Sequence, residues 1–393
     1  MTVTPADDLA AIIESAADDT VITLTAGTFN LGVNAPYNQG IIIQNKTNLT
    51  ITGQGWGSTI IKLPSNAKFG FYTGSNVHNL KIEKMHIEGT TPLSTNTHGI
   101  GNYSGSTNVT NVTLSELRLK DTAVGISIGT SESGILTGVA ITDNVITNTI
   151  GLDSGWGYGI HTENGTNVLI ADNLIQNATR HSIYLARSAA GSNVTIERNT
   201  ILNHDPAGQQ RATTGRWYLG ALAVTRASDV DVAFNEIVNS RTIALSVEPD
   251  EVLGWPSTDI NLVGNEITDA WYVGLWLITN QTHTAMGNTI THFPNPDADG
   301  NGWNAEISFI DYPRGVITSS ALEPPAPRWA DIDFIDEMGD GNVYVMKDGV
   351  LDKITDPYET WAYETCPPTW PLAESMTAVP DAAGPGQGRL YIY

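Results

Sequence analysis

The stretches NVLIADNLIQN (167–177) and NVTIERNTILN (193–203) are one phrase written twice, 26 residues apart. Each holds two short apolar runs of period two, joined by an Asn six residues after the phrase begins. The phrase recurs outward in both directions. NLTITGQG starts at Asn48, NLKIEKMHIEG at Asn79, NVTLSELRLKD at Asn111 and GVAITDNVITN at Gly138. DVDVAFNEIVN follows at Asp229, DINLVGNEITD at Asp259 and THTAMGNTITH at Thr282. Successive starts lie 23 to 36 residues apart, a period that marks a solenoid. The joining residues Asn144, Asn173, Asn199, Asn235, Asn265 and Asn288 are expected to turn left-handed corners and to bond their equivalents on neighbouring coils.

Between phrases lies a third run with its own register, in GIIIQ (40–44), GFYTG (70–74), GISIG (125–129), GIHTE (159–163), SIYLA (182–186), ALAVT (221–225), ALSVE (244–248) and GLWLI (274–278). Three short strands per turn, with loops of variable length at fixed corners, predict an all-β fold: a right-handed parallel β-helix of about nine to ten coils. Only DDLAAIIESAA (7–17) has a helical period, and it is expected to cap the open N-terminal coil. Residues 1–20 then form the cap and 21–321 the β-helix. After EPPAPRW (323–329) the pattern stops, so 322–393 is expected to be an irregular tail, packed on the last coils or between subunits, with a hairpin in VYVMKDGVLDKI (343–354). The opening DTVITLTAGTFNL resembles the start of the pectate-lyase-like superfamily of β-helices.

The 42 acidic and 19 basic side chains give a formal net charge of −23, which argues against nucleic acid as a partner. No run of 18 apolar residues predicts a membrane span. The start MTVTPADDLA lacks the basic-then-apolar pattern of a signal peptide. A secreted or periplasmic location is expected, with the leader absent from this sequence; a phage virion is the alternative. The single Cys366 excludes an internal disulfide.

The third run carries the chemistry. Ile160, Ile183, Leu222, Leu245, Leu275 and Ile307 form one inward column, so their neighbours His161, Tyr184, Ala223, Ser246, Trp276 and Ser308 point outward. Two positions on, the outward column reads Glu163, Ala186, Thr225 and Glu248. Coils stack about 4.8 Å apart, which makes His161 and Tyr184 lateral neighbours. Arg180 is expected on the same face, His181 at the corner, and Arg187 at the far end. Such ladders can also serve packing alone. Against that reading, residues 180–241 hold seven arginines and no lysine against five acids, in a chain that is strongly acidic overall. An island of guanidinium suits an anionic ligand.

A uronate chain fits these groups. Cations paired with its C6 carboxylate acidify the C5 proton, a base removes it, and an acid protonates the leaving oxygen or the opposite face. The first course is β-elimination, the second epimerisation. His161, Tyr184, Arg180 and His181 are the candidate catalytic group. Tyr158, Glu163, Arg187, Arg216, Trp217, Arg241, Glu248 and Trp276 are the candidate substrate contacts. GYGIHTEN (157–164) is similar to the Gly-Tyr-Gly phrase with downstream His and Glu of mannuronan C5-epimerase modules, and TRHSIY (179–184) resembles the Arg-His-Gly strand of that alginate-acting family. The resemblance implies uronate chemistry over about 15 residues. The family's Asp-Pro-His-Glu is replaced by Ile160-His161-Thr162-Glu163, and the two phrases fall on adjacent coils.

A polysaccharide lyase is therefore the expected activity. A glycoside hydrolase or transferase, of fructan-acting or tail-spike type, is the runner-up. It needs two carboxylates about 5–10 Å apart. Glu163 and Glu248 lie three coils apart, roughly 14 Å, although loop acids Asp153, Asp205 or Glu306 could complete a pair. A non-catalytic glycan binder would use the aromatics alone, among them Trp156, Trp217, Trp255, Trp271, Trp276 and Trp303. The partner expected in every case is a poly- or oligosaccharide, and a homotrimer is an open assembly. NPDADGNGWNAE (295–306) places Asn295, Asp297, Asp299, Asn301 and Glu306 in a calcium-loop pattern, with Gly300 at the sharp turn. Structural calcium is expected there; a solvated loop, with Glu306 beginning the strand AEISF, is the alternative.

Overall fold

In the computed structural model, residues 1–291 are described except 33–38, 92, 103–106, 131–133, 153–155, 189–190, 207–219, 249–256, 271–272 and 280–282. Beyond 291 only the backbone of separate strands is described.

The chain winds into a right-handed parallel β-helix. Ten strands, from Gln39–Ile43 to Ala305–Asp311, stack in chain order as one parallel sheet, while the two runs of each phrase form a nineteen-stranded sheet around the other sides. The register is the one the alternation predicts. Ile160 pairs with Ile183, Ile183 with Leu222, Leu222 with Leu245, Leu245 with Leu275 and Leu275 with Ile307. These columns, with Val168, Ile170 and Ile175 and their equivalents, make one continuous apolar core. Each such aliphatic side chain contributes roughly 1.5–3 kcal/mol on burial. One strand of the ten, His98–Gly101, escapes the sequence pattern because it is only four residues long.

The joining asparagines bond their equivalents as expected but do not turn the corners themselves. Asn173, Asn199 and Asn235 are buried and bond one another through Nδ2 and Oδ1 at 2.9 Å, a ladder running from Asn144 to Asn288. They do not take the left-handed corner. The residue before each does: Asp143, Asp172, Arg198, Phe234, Gly264 and Gly287 have φ between 51° and 62°. That corner points the Asn side chain inward, where its amide serves two backbone groups of the preceding coil and the Asn side chain of the next. The solvent-side phrase starts Asn48, Asn79, Asn111, Asn167 and Asn193 are themselves left-handed, with φ between 49° and 55°.

The helix Leu9–Ser15 is shorter than its sequence pattern. Asp8 accepts from the Ala11 N–H to start it, and Lys46 Nζ donates to the Glu14 carbonyl at 2.8 Å at its end. Its buried Leu9 and Ile13 join the core, and Glu14 Oε1 accepts from the Ile42 N–H. It thereby covers the edge strand Gln39–Ile43, an edge that would otherwise be open to pairing. In the tail, Val343–Lys347 and Val350–Ile354 pair antiparallel with Lys347 opposite Val350, the hairpin the sequence predicts. Among the described residues no helix is long and apolar enough to cross a membrane.

Candidate functional site

The site face is the outer surface of the ten-stranded sheet, and it departs from strict alternation at one place. A Cβ on Gly159 would lie 2.6 Å from Ile175 Cγ2, so this position faces inward, as does its neighbour Ile160. Two inward residues in succession put Tyr158 on the same outer face as His161. On the next coil Ser182 and Ile183 are both fully buried, and His181 aligns with Tyr158. His181 is therefore on the face, not at the corner. Arg180, expected on the face, stands just before the strand and carries its guanidinium back over the Tyr158 ring, 5.2 Å from the centroid. Gly157, at φ +118°, makes this approach possible: its carbonyl accepts from the Arg180 N–H at 3.0 Å, and a side chain there would strike Thr179.

The result is a compact stack of rings. Tyr158 lies 5.3 Å from His161, 5.6 Å from His181 and 5.7 Å from Tyr184, all within 25° of parallel. His161 and Tyr184 are 5.3 Å apart, and His181 and Tyr184 are 4.7 Å apart. His181 is 3% exposed and Tyr158 7%, whereas His161, Tyr184 and Arg180 are half-buried. The outermost pair is thus the one a ligand can reach.

Burial sets the protonation states. It lowers His161 to about 4, with Arg180 and Arg187 adding to the effect, and it pushes His181 well below its usual value. Both imidazoles are neutral near pH 7. His181 Nδ1 donates to the Gly220 carbonyl at 2.6 Å, since a carbonyl only accepts, and this leaves Nε2 with the lone pair. His161 Nδ1 lies 3.1 Å from Ser127 Oγ. Burial raises the Tyr184 phenol above its ordinary value, opposed by a hydrogen bond with Thr225, so Tyr184 carries its proton.

The other expected contacts divide. Glu163 is held by Arg187 at 3.1 Å, which anchors both beside the stack. Glu248 aligns with Glu163 three coils on, through Ala186 and Thr225, and is 8% exposed. Trp276 follows Ser246 in the Tyr184 column as expected, but it is 7% exposed and offers no open ring to a sugar. Of the described arginines only Arg180 and Arg187 lie by the stack. Arg198 is an exposed surface residue clamped by Asp172 and Glu197, Arg241 stands exposed at a turn, and Arg226 lies at the corner after Thr225. Arg216 and Trp217 lie outside the described residues, as do Asn295, Asp297, Asp299 and Asn301. Glu306 falls in the strand Ala305–Asp311, of whose side chains nothing is described. Among the described residues no cluster of His, Cys, Asp or Glu is arranged to hold a metal.

The sequence reading missed His98, whose ring lies 4.7 Å from Phe69 and 5.0 Å from Trp156. The clue was present: His98-Gly99-Ile100 repeats the Tyr158-Gly159-Ile160 pattern.

No family model matches the chain, and no curated protein sequence matches it. Solved structures share its fold. An alginate lyase from Paenibacillus sp. str. FPU-7 matches with a TM-score of 0.52 at 15% identity, over 73% of this chain and 93% of that one. ORF18 of Geobacillus virus E2 matches with a TM-score of 0.53 at 13% identity, over 89% and 68%. A mannuronan C-5 epimerase A-module from Azotobacter vinelandii gives 0.48 at 14% identity, over 81% and 94%. At these identities the likeness to the first two shows the fold alone, a parallel β-helix.

Proposed function

We propose that the protein is a polysaccharide-processing enzyme, and that it cleaves a uronate-containing glycan by β-elimination. The observation that carries this reading is the half-exposed pair of a neutral imidazole, His161, and a protonated phenol, Tyr184, beside the Arg180 guanidinium. Arg180 pairs with the C6 carboxylate and stabilises the negative charge that develops when the C5 proton leaves. His161 takes that proton at Nε2, with Nδ1–H turned to Ser127 Oγ. The electron pair forms the C4=C5 double bond as the C4–O bond breaks, and the Tyr184 proton goes to the departing oxygen. His181, buried against Tyr184 and tied to Gly220, is a positioning residue. The fold that this chain shares with an alginate lyase is compatible with the reading.

Hydrolysis fits the described face less well. Glu163 is engaged by Arg187, and Glu248 lies about 14 Å away by coil spacing, beyond the usual carboxylate separation. The test is incubation with a panel of acidic and neutral polysaccharides, following ultraviolet absorbance of unsaturated uronate ends together with reducing ends. Absorbance rising with reducing ends supports the lyase. Reducing ends alone indicate hydrolysis. Silence in both, with an altered uronate composition, indicates epimerisation.

A further inference from the structure

We infer that the substrate chain is gripped on the N-terminal side of the His161–Tyr184 pair, along a path of aromatic rings that runs over Trp156 to Tyr72. This deepens the reading above and rests on it.

The path is built from two outward columns. One reads Phe69, His98, Val124, Tyr158 and His181 on successive coils. Only Val124 lacks a ring, and there the Trp156 ring spans the gap, 5.0 Å from His98 and 6.4 Å from Tyr158. Phe69 in turn lies 5.3 Å from Tyr72. From Tyr72 to Tyr184 is four coil steps, about 19 Å at the usual strand spacing. An extended pyranose chain advances by close to one strand spacing per unit, so the path spans about four sugar units. Tyr72 and Trp156 are half-buried, as stacking platforms must be, while Phe69 and His98 are buried beneath them.

Charge points the same way. The strands 69–73, 98–101 and 124–129 carry no Asp or Glu, so these strands themselves present no like charge to a chain of carboxylates. On the other side the columns change character. Ala223 and Ser246 follow Tyr184, carry no ring and are fully buried, and Trp276 and Glu248 beyond them are nearly so. Among the described residues, the rings of this face open to stacking beyond the pair, Trp156 and Tyr72, therefore lie over the N-terminal coils.

The experiment is a length series of oligomannuronates and oligogalacturonates, from dimers to octamers, turned over by the parent, Tyr72→Ala, Trp156→Ala and Trp156→Phe. Trp56→Ala, an exposed indole on a different corner, is the control. For the parent, KM should fall as the oligomer lengthens and then level off. Trp156→Ala should raise KM by about three- to tenfold for all but the shortest substrates, with kcat held and Trp156→Phe largely restoring it. Tyr72→Ala should affect only the longest oligomers, and Trp56→Ala none. A parent KM indifferent to length, or losses equal at every length in variants that melt like the parent, would overturn the aromatic path and leave the lyase reading standing. An oligouronate series that is neither turned over by the parent nor bound by Tyr184→Phe would overturn both.

Discussion

The His161 and Tyr184 rings stand on adjacent coils with centroids 5.3 Å apart and planes 14° from parallel. Direct strand pairing sets this relationship, because His161 is the Cα partner of Tyr184 and the flanking Ile160 and Ile183 are locked in the core. A stack this constrained can position two groups for a proton transfer without moving the backbone. Replacing Tyr184 with Phe keeps the ring and its neighbours and removes only the hydroxyl. Turnover should then fall at least about 10²-fold, the usual loss of a general acid, with the melting temperature nearly unchanged. His161→Ala should behave similarly. Folded variants of both that turn over within a few-fold of the parent would make this face a binding ladder.

The pH profile should carry the mark of burial. Desolvation first, then Arg180 and Arg187, lower His161 from 6.5 to about 4, so its base form persists down to that range. Activity, followed as kcat/KM, should hold through pH 6.5 and decline only as pH approaches about 4. Tyr184, raised by burial, should not lose its proton in the neutral range. Arg180→Gln, by removing the second cause, should move the acidic limb upward toward the ordinary histidine value. An acidic limb centred near 6.5 in the parent would show that His161 is not the base.

The same burial should make the fold acid-labile. His98 is lowered to about 3 and His161 to about 4, chiefly by burial. For a group whose folded pKa is depressed, the unfolded chain binds the proton first, so stability is full above the unfolded value and is lost as pH falls toward the folded one. Thermal unfolding should therefore show a falling midpoint from about pH 6.5 down toward 3–4. His98→Phe, which keeps a ring against Phe69 and Trp156, should flatten part of that slope. An unchanged slope would mean that His98 is not protonated differently in the two states.

The solenoid was legible because period and alternation are properties of a single strand. The register that pairs His161 with Tyr184 follows from counting alternate residues back from Ile160 and Ile183. The swap of His181 and Arg180 was not legible for the same reason. The two successive inward positions at Gly159–Ile160 and Ser182–Ile183 break the alternation, and a Cβ on Gly159 would press on Ile175, a residue distant in sequence. Composition misled about the arginines. Of the five described arginines in 180–241, Arg187 and Arg226 follow Ala186 and Thr225 at one corner, while Arg198 spends its charge on Asp172 and Glu197 elsewhere.

The buried asparagine ladder allows a sharp contrast within one phrase. Asn199 Oδ1 accepts from the Asn173 backbone N–H at 3.1 Å and from Asn173 Nδ2 at 2.9 Å. Its own Nδ2 donates to the Ile170 carbonyl and to Asn235 Oδ1, both at 2.9 Å. Asn199→Ala removes these partners at a site that water does not reach, and each orphaned buried group costs about 1–3 kcal/mol. The variant should lose roughly 3 kcal/mol or more by denaturant unfolding. Asn193 begins the same phrase, also bonds the preceding coil, and is exposed with φ 49°. Glycine takes that backbone conformation without strain and water can replace the lost bond, so Asn193→Gly should cost less than about 1 kcal/mol. Similar losses in the two variants would mean that the ladder contributes through its corner geometry and not through its buried hydrogen bonds.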